Sequence, residues 1–172
     1  MRQVSKQNVI ENLSRYLIMK QISREQWGSV LSSLPEPRLK EIVDRVSAGL
    51  RIRPKVVPQS GLGMLKMKDS ALNESYYLGE FPMSSCWLSV STENGQIAEG
   101  ASVIMDDNLE QSVRLALCDA ILSAQLPGYE EIDVLLLEGM NRRRQIEAER
   151  KSILARTRVD FSLLDDVGDD NA

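Results

Sequence analysis

The sequence contains no histidine among its 172 residues. Histidine is the side chain that most often serves as a general base near neutral pH, and it is also the commonest metal ligand. Its absence excludes Ser-His-Asp and Cys-His catalysis within this chain. Carboxylate, lysine and thiolate chemistry remain open.

Cysteine is scarce as well, with only Cys86 and Cys118 present. The surrounding patterns predict Cys86 on a strand and Cys118 on a helix, and neither their spacing nor their neighbours fit a metal site. The first 22 residues lack the uninterrupted apolar run of an export signal. We therefore expect a cytoplasmic protein with two reduced thiols and no bound metal.

Long apolar runs and phosphate-binding loops are also missing. No run approaches the roughly 18 apolar residues that a membrane-spanning helix needs, and there is no Gly-x-x-x-x-Gly-Lys-Ser/Thr string. Gly61-Leu62-Gly63 lacks the third glycine of a dinucleotide-binding fingerprint, so we interpret it as part of a turn. The net charge of −4 gives no general attraction to nucleic acid.

The clearest structural signal is a hairpin in the middle of the chain. Residues 86–91 place Cys86, Leu88 and Val90 on one face of a predicted strand and polar residues or Trp87 on the other. Asn94-Gly95 fits a type I′ turn, in which both central residues have positive φ. Residues 97–105 are the predicted return strand.

A helix is predicted directly after this hairpin. Asn108 is a favourable N-cap, and apolar residues then recur at helical spacing until Pro127-Gly128. We expect this helix to lie across the hairpin, because that arrangement buries the apolar faces of both. The hairpin and the helix should form the core.

The first part of the chain predicts two helices and two further strands. Ser23 and Gln26 form a capping box ahead of the first helix, and Pro37 suits the first turn of the second. Residues 51–57 are a predicted strand, which Pro54 and Pro58 should confine to a sheet edge. A turn over residues 60–63, a short strand over 64–68 and a loop over 69–75 complete this part.

A long helix over about residues 130–157 ends the predicted fold. From Arg142 to Arg158 there are seven cations and two anions, giving +5, whereas residues 159–172 hold five aspartates and no cation, giving −5. The predicted class is α+β, with an antiparallel sheet of about four strands, two N-terminal helices and two C-terminal helices, the last one long. We expect a single domain over residues 23–161, after an extension over 1–22 with the spacing of a short helix, and before an acidic tail over 162–172.

Four strings occur in an order that resembles a known family. They are Arg24-Glu25-Gln26-Trp27, Tyr76-Tyr77-Leu78-Gly79-Glu80, Ala116-Leu117-Cys118-Asp119-Ala120 and Thr157-Arg158-Val159-Asp160-Phe161. Together they resemble the G subunit of the carbon–phosphorus lyase core complex, the PhnG family of bacterial phosphonate metabolism. The resemblance covers residues 23–172.

This resemblance implies an accessory, non-catalytic subunit that works with the H, I and J subunits, chiefly the I subunit. In that family, with the L protein, the assembly supports displacement of adenine from ATP by a phosphonate, giving a ribose 1-phosphonate 5-triphosphate. The J subunit is a radical enzyme that uses S-adenosylmethionine and an iron–sulfur cluster. No cofactor is expected in this chain, and neither a membrane nor nucleic acid is an expected partner.

The chain departs from the family pattern at two places. Met105-Asp106-Asp107-Asn108 stands where the family usually has Leu-Gly-Arg-Asp, and Asp166-Val167-Gly168 stands where it usually has Val-Arg-Gly. Two cations of the family pattern are therefore missing from this sequence. Asp106 and Asp107 precede a predicted helix cap, and we interpret them as turn residues rather than as a catalytic pair.

The resemblance and the charge pattern together nominate candidate site residues. The predicted contacts with a partner protein are Tyr76, Gly79, Glu80, Thr157, Arg158, Val159, Asp160 and Phe161. The predicted contacts with a phosphate or an acidic partner are Arg142, Arg143 and Arg144, and no catalytic residue is assigned.

Two alternatives belong to other classes of protein. A free-standing nucleotide-binding or phosphonate-binding protein, or a regulatory protein, would use the three arginines at 142–144. An independent enzyme would have to use Glu80, Asp160 or Cys86, and the lack of histidine disfavours it.

Overall fold

Four helices and three strands make up the computed structural model, which describes residues 22–157. In chain order they are α1 (Arg24–Leu31), α2 (Glu36–Ser47), β1 (Arg51–Lys68), β2 (Ser75–Ser91), β3 (Ile97–Ile104), α3 (Leu109–Ser123) and α4 (Tyr129–Arg156). The predicted α+β class and the arrangement of the helices are confirmed, and α4 is the longest at 28 residues. Most of the predicted N-terminal extension and all of the acidic tail lie outside the described residues.

The sheet is antiparallel and has the strand order β1-β2-β3. It holds three strands in the described chain, because β1 continues through residues 60–63 instead of turning there. The predicted turn is wrong, and the packing of Phe81 explains why. A Cβ added to Gly63 would lie 2.8 Å from Cζ of the Phe81 ring on the neighbouring strand, so this glycine makes room for a cross-strand aromatic side chain.

The hairpin between β2 and β3 is confirmed, but its predicted turn type is wrong. The Gly95 amide donates to the Thr92 carbonyl at 3.1 Å, and Gly95 has a φ of 81° whereas Asn94 does not have a positive φ. The connection is therefore longer than a two-residue type I′ turn, and it consists of a turn followed by Gly95 in the left-handed region. The Thr92 hydroxyl also accepts the Gln96 amide at 3.1 Å, which favours the longer loop over the two-residue turn.

Helix α3 is the centre of the core. Its residues Ala116, Cys118, Ala120 and Ile121 are completely buried, since the helix lies between the sheet on one side and α1, α2 and α4 on the other. The prediction that it crosses the hairpin is confirmed. Only Glu110 and Ser123 of this helix are exposed, because the three other helices cover the side that faces away from the sheet.

Gly100 allows α3 to approach the sheet closely. A Cβ at this position would lie 2.1 Å from the Ala116 carbonyl oxygen and 2.5 Å from the Ala120 amide nitrogen. No side chain fits in that space without a movement of the helix. A glycine inside a strand is otherwise unfavourable, and here the close approach of α3 requires it.

Polar contacts fix the N-terminal end of α3 against the sheet. The Asn108 side chain accepts the Gln111 amide at 3.0 Å, which confirms the predicted N-cap. The buried Ser84 hydroxyl donates to the Asp106 carbonyl at 2.8 Å, and the Ser102 hydroxyl donates to the Ser112 carbonyl at 2.6 Å. These bonds hold the start of α3 against β2 and β3.

Candidate functional site

A cleft of about 910 Å³ lies between α1 and β3. Residues of α1 form one wall, the six consecutive residues 101–106 form the other, and Gln111, Leu115 and Asp119 of α3 form the floor. Successive side chains of a strand point to opposite faces of its sheet. Residues 101–104 of β3 all line the cleft, so it must run along the outer edge of this strand, and we call it the edge groove.

One end of the edge groove is closed by an ion pair. The Arg24 guanidinium binds Asp119 in a bidentate manner, with Nε 2.7 Å from Oδ1 and Nη2 2.8 Å from Oδ2. Asp119 Oδ2 also accepts the Ala101 amide at 3.1 Å. This carboxylate raises the pKa of Arg24 through those hydrogen bonds. It thereby joins α1, α3 and the edge of β3.

The second prominent feature is a two-stranded projection. Beyond the pair Ser60–Ser84, β2 is bonded to β1 alone, since β3 ends at its partner Ile104. We call residues 61–83 the arm. Its strands project by roughly 25 Å, from eight residues at the rise of an extended strand. Of these residues, all of which the structure describes, none is buried.

The arm carries many large apolar side chains in contact with solvent. Eight of them are exposed, on both of its strands and at its tip: Leu62, Met64, Leu65, Met67, Leu72, Tyr76, Tyr77 and Leu78. Monomeric proteins rarely expose contiguous apolar surface of this kind. A two-stranded hairpin without burial is also only marginally stable in water. Both observations make the arm a candidate interaction surface.

The tip of the arm is ordered by Asp69. Its Oδ1 accepts the amides of Ala71 and Leu72, each at 2.7 Å, and its own amide donates to the Glu74 carbonyl at 2.8 Å. The two accepted bonds lower the pKa of the Asp69 carboxyl, that of Leu72 most. The apolar side chain of Leu72 is thus presented from a defined turn.

The structure places the predicted partner-binding residues in two groups. Tyr76, Gly79 and Glu80 are exposed on β2 within the arm, where they pair with Met67, Leu65 and Met64 of β1. Thr157 is exposed at the end of α4, where its hydroxyl donates to the Leu154 carbonyl at 3.1 Å. Arg158, Val159, Asp160 and Phe161 lie outside the described residues.

The three predicted phosphate-binding arginines do not converge. Arg142, Arg143 and Arg144 are consecutive and exposed on α4, so their side chains leave the helix about 100° apart. Arg143 is engaged with its own fold, because it donates to the Ser29 hydroxyl at 2.8 Å and lies 3.4 Å from the Glu147 carboxylate. Of the three, Arg143 is therefore held by contacts within its own fold.

Both cysteines are buried and free. Burial raises the pKa of the Cys118 thiol to about 12 and raises that of Cys86 as well. The thiolate is the nucleophilic form of cysteine, so these positions do not favour covalent catalysis. Within residues 22–157, no group of three or more histidine, cysteine or acidic side chains is placed to hold a metal ion.

Comparison with known proteins gives one decisive match. A family model described as phosphonate metabolism protein PhnG matches residues 22–165. The chain belongs to the PhnG family. The resemblance of its four strings is thereby confirmed, and with it a role in phosphonate metabolism. No curated protein matches the chain.

Family membership gives the contact between Arg24 and Asp119 additional interest. These residues belong to two of the strings that carried the resemblance to PhnG, and they are 95 positions apart in the sequence. Sequence reasoning did not bring them together, nor did it identify the edge groove. The sequence indicated the arm only in part, through Tyr76, Gly79 and Glu80.

Across residues 22–157, no helix has the length and apolar character to cross a membrane.

Proposed function

We propose that this chain is a non-catalytic subunit of the carbon–phosphorus lyase core complex, assembled with the H, I and J subunits and chiefly with the I subunit. In that assembly it supports displacement of adenine from ATP by a phosphonate, which gives ribose 1-phosphonate 5-triphosphate. ATP, S-adenosylmethionine and the iron–sulfur cluster belong to the partner subunits. The complex operates in the cytoplasm.

The exposed arm is the observation that carries this proposal. Membership of the PhnG family supplies the metabolic setting, and the arm supplies a physical reason for a partner. Burying its eight exposed apolar side chains against another surface would remove them from water and so stabilise the bound state. Tyr76 and Tyr77 lie among them, and aromatic residues are enriched where binding energy concentrates.

Arm residues Leu62 and Met64 provide the test. They lie on one face of β1, because they are two residues apart and pair without a register shift with Pro82 and Glu80. The double change Leu62→Thr/Met64→Thr should leave little of the chain bound to the I subunit after co-expression with H, I and J. Yield of the complex on gel filtration is the measurement.

Ile97→Thr is the matched control for this experiment. Ile97 is 73% exposed and Leu62 is 69% exposed, and both are apolar strand residues, but Ile97 lies outside the arm. Each variant should unfold within about 0.5 kcal/mol of the unmodified chain, as exposed substitutions usually do. A complex that forms equally well with the arm variant would refute the role of the arm.

The terminal segment gives a second contact in the proposed interface. Thr157 ends α4, and the predicted contacts Arg158, Val159, Asp160 and Phe161 continue beyond the described residues. Phe161 would be an apolar anchor flanked by polar residues, so Phe161→Ala should weaken co-purification with the I subunit. An unchanged yield of the complex would exclude Phe161 as an anchor of the interface.

Calorimetry with the isolated chain addresses the free-standing alternative. Titration with ATP and with methylphosphonate should give no heat of binding if the chain acts only as a subunit. Saturable heat with a defined stoichiometry would favour the ligand-binding protein instead. Arg142→Gln/Arg144→Gln would then show whether those side chains hold the ligand.

A further inference from the structure

The outer edge of β3 carries main-chain groups without a partner in the described chain. In an antiparallel pair, the residues of one strand alternate between those bonded to the neighbouring strand and those whose N–H and C=O point away from it. Ala101 belongs to the second kind, because its amide donates to Asp119 on the outer side. Val103 is two residues further along β3 and therefore points its N–H and C=O outward as well.

These outward groups open into the edge groove. By this alternation the Val103 amide, the Val103 carbonyl and the Ala101 carbonyl face away from β2, and within residues 22–157 no turn, loop or cap bond uses them. Residues 101–106 line the groove, so an extended chain placed there would meet all three groups. Asp119 already binds the Ala101 amide, and its pair with Arg24 limits the groove at that end.

The walls of the groove provide positions for side chains of such a strand. Trp27 on α1 is half-buried and Leu115 on α3 is buried, and both line the groove. Alternate side chains of an incoming strand would point toward these two residues. The helix and the strand edge thus enclose a space of the form that strand-adding domains use to bind peptides.

The charge of the groove selects a basic strand. Four charged residues line it, and Arg24 is neutralised by Asp119. Glu25 and Asp106 remain, both exposed and both negative. Opposite charge on the incoming strand favours its approach and fixes its register.

We propose that the edge groove binds an extended strand of a partner subunit, which adds to β3 as a fourth strand and carries at least one lysine or arginine. The inference rests on the proposed function in one respect, since the strand is supplied by one of the subunits in the complex. It is distinct from the arm because no residue of the range 61–83 lines the groove, although the groove reaches the end of β3 beside Ser84, where the arm begins. The groove is therefore a further contact with the assembly, in addition to the arm and the terminal segment.

Val103→Pro tests the main-chain contact directly. Proline lacks the amide hydrogen and is tolerated in edge strands where that hydrogen faces outward, so the change removes the outward donor while the bonds between β2 and β3 remain. Val103→Thr is the matched control, since it keeps the amide and the branched side chain. We expect Val103→Pro to weaken the complex about tenfold, equal to about 1.4 kcal/mol, and Val103→Thr to leave it unchanged.

Amide hydrogen exchange identifies the occupant. Exchange of the outward-facing Val103 amide should be fast in the isolated full-length chain and slow in the complex with H, I and J. Protection already present in the isolated chain would overturn the proposal. If that protection disappears when residues 1–21 are removed, the occupant is the chain's own N-terminal segment, and if it depends on protein concentration, the occupant is a second copy.

The outcomes also separate this inference from the proposed function. If the complex forms with every variant and the Val103 amide exchanges rapidly within it, the groove is not a strand-binding site, although the subunit role stands. If no complex forms with the unmodified chain, both are refuted. Glu25→Lys/Asp106→Lys should weaken the complex at low salt, and an unchanged affinity would refute the basic character of the strand.

Discussion

Single residues show how this fold holds its charges. Arg114 on α3 is buried, yet its guanidinium reaches Glu36 at 2.8 Å and also binds Glu110. Asp119 uses both oxygens, as described for the edge groove. In each case a buried or half-buried charge is paired, which is how proteins limit the cost of removing it from water.

Asp133 is the exception, and it makes the stability depend on pH. Burial and the nearby charge of Glu130 raise the pKa of its carboxyl to about 6. The folded chain therefore holds this proton more tightly than the unfolded chain, whose aspartate has a pKa of about 3.9. The contribution of the raised Asp133 pKa to stability is fully present below about pH 4 and is lost as the pH rises from about 4 through about 6.

Asp133→Asn should consequently stabilise the chain at pH 8 and have little effect at pH 4. We expect a gain of about 1 kcal/mol in the free energy of unfolding, because two pKa units would give about 2.7 kcal/mol and solvent screening of this half-exposed group reduces it. Urea unfolding at the two pH values is the measurement. Glu130→Gln should give a smaller gain with the same pH dependence. An equal gain at both pH values would contradict the electrostatic origin.

At the scale of elements, two glycines allow neighbouring elements to approach each other closely. Gly100 meets α3, and a Cβ at Gly139 of α4 would lie 2.4 Å from the Val30 carbonyl oxygen of α1. These two positions bring α3 onto the sheet and α4 onto α1. The layers are held at distances that an alanine would not allow.

Gly100→Ala tests this point. The added methyl group would collide with the backbone of α3 at Ala116 and Ala120, and a backbone cannot move aside as a flexible side chain can. We expect a loss of about 3 kcal/mol in the free energy of unfolding, the upper part of the usual range for overpacking. Gly61→Ala is the control, since nothing lies within 4 Å of its added Cβ on a strand of the same sheet. Equal effects of the two changes would show that the contact of α3 with β3 is loose.

Local patterns predicted the elements of this fold better than their contacts. Asn108 and the apolar spacing of α3 are sufficient to locate that helix, because a cap and a stripe depend on neighbours within a few residues. The continuity of β1 was not predictable in this way. The role of Gly63 depends on Phe81, which lies on another strand.

The candidate site was less accessible to sequence reasoning than the fold. The edge groove combines three elements, and its closing pair joins Arg24 to Asp119 across 95 positions. No local pattern records such a contact. The arm was partly visible, since Tyr76, Gly79 and Glu80 belong to a family string, but the exposure of its β1 side chains follows only from where β3 ends.

At the scale of the whole molecule, the described chain has a packed part and an unpacked part. Most residues of α3 and alternate residues of β2 from Ser84 onward are buried in one core, whereas residues 61–83 contribute no buried residue to it. Local stability follows buried apolar contact. The arm should therefore open more readily than the rest of the sheet.

Hydrogen exchange of the isolated chain measures this difference. Amides at residues 62–67 and 76–81 should exchange through local opening, well before those of Cys86 and Leu88, which exchange only on global unfolding. The complex should slow exchange in the arm toward the level of the core. Equal protection of the arm and the core in a monomeric sample would contradict the division of the molecule into these two parts.

The arm also has a consequence for how much of this protein a cell can keep. A copy that has found no companion leaves an apolar hairpin open to chaperones and proteases, which act continuously on partly unfolded chains. Surplus copies would be degraded and assembled ones spared. The steady level of the protein would then follow the scarcest member of its assembly and not its own rate of synthesis.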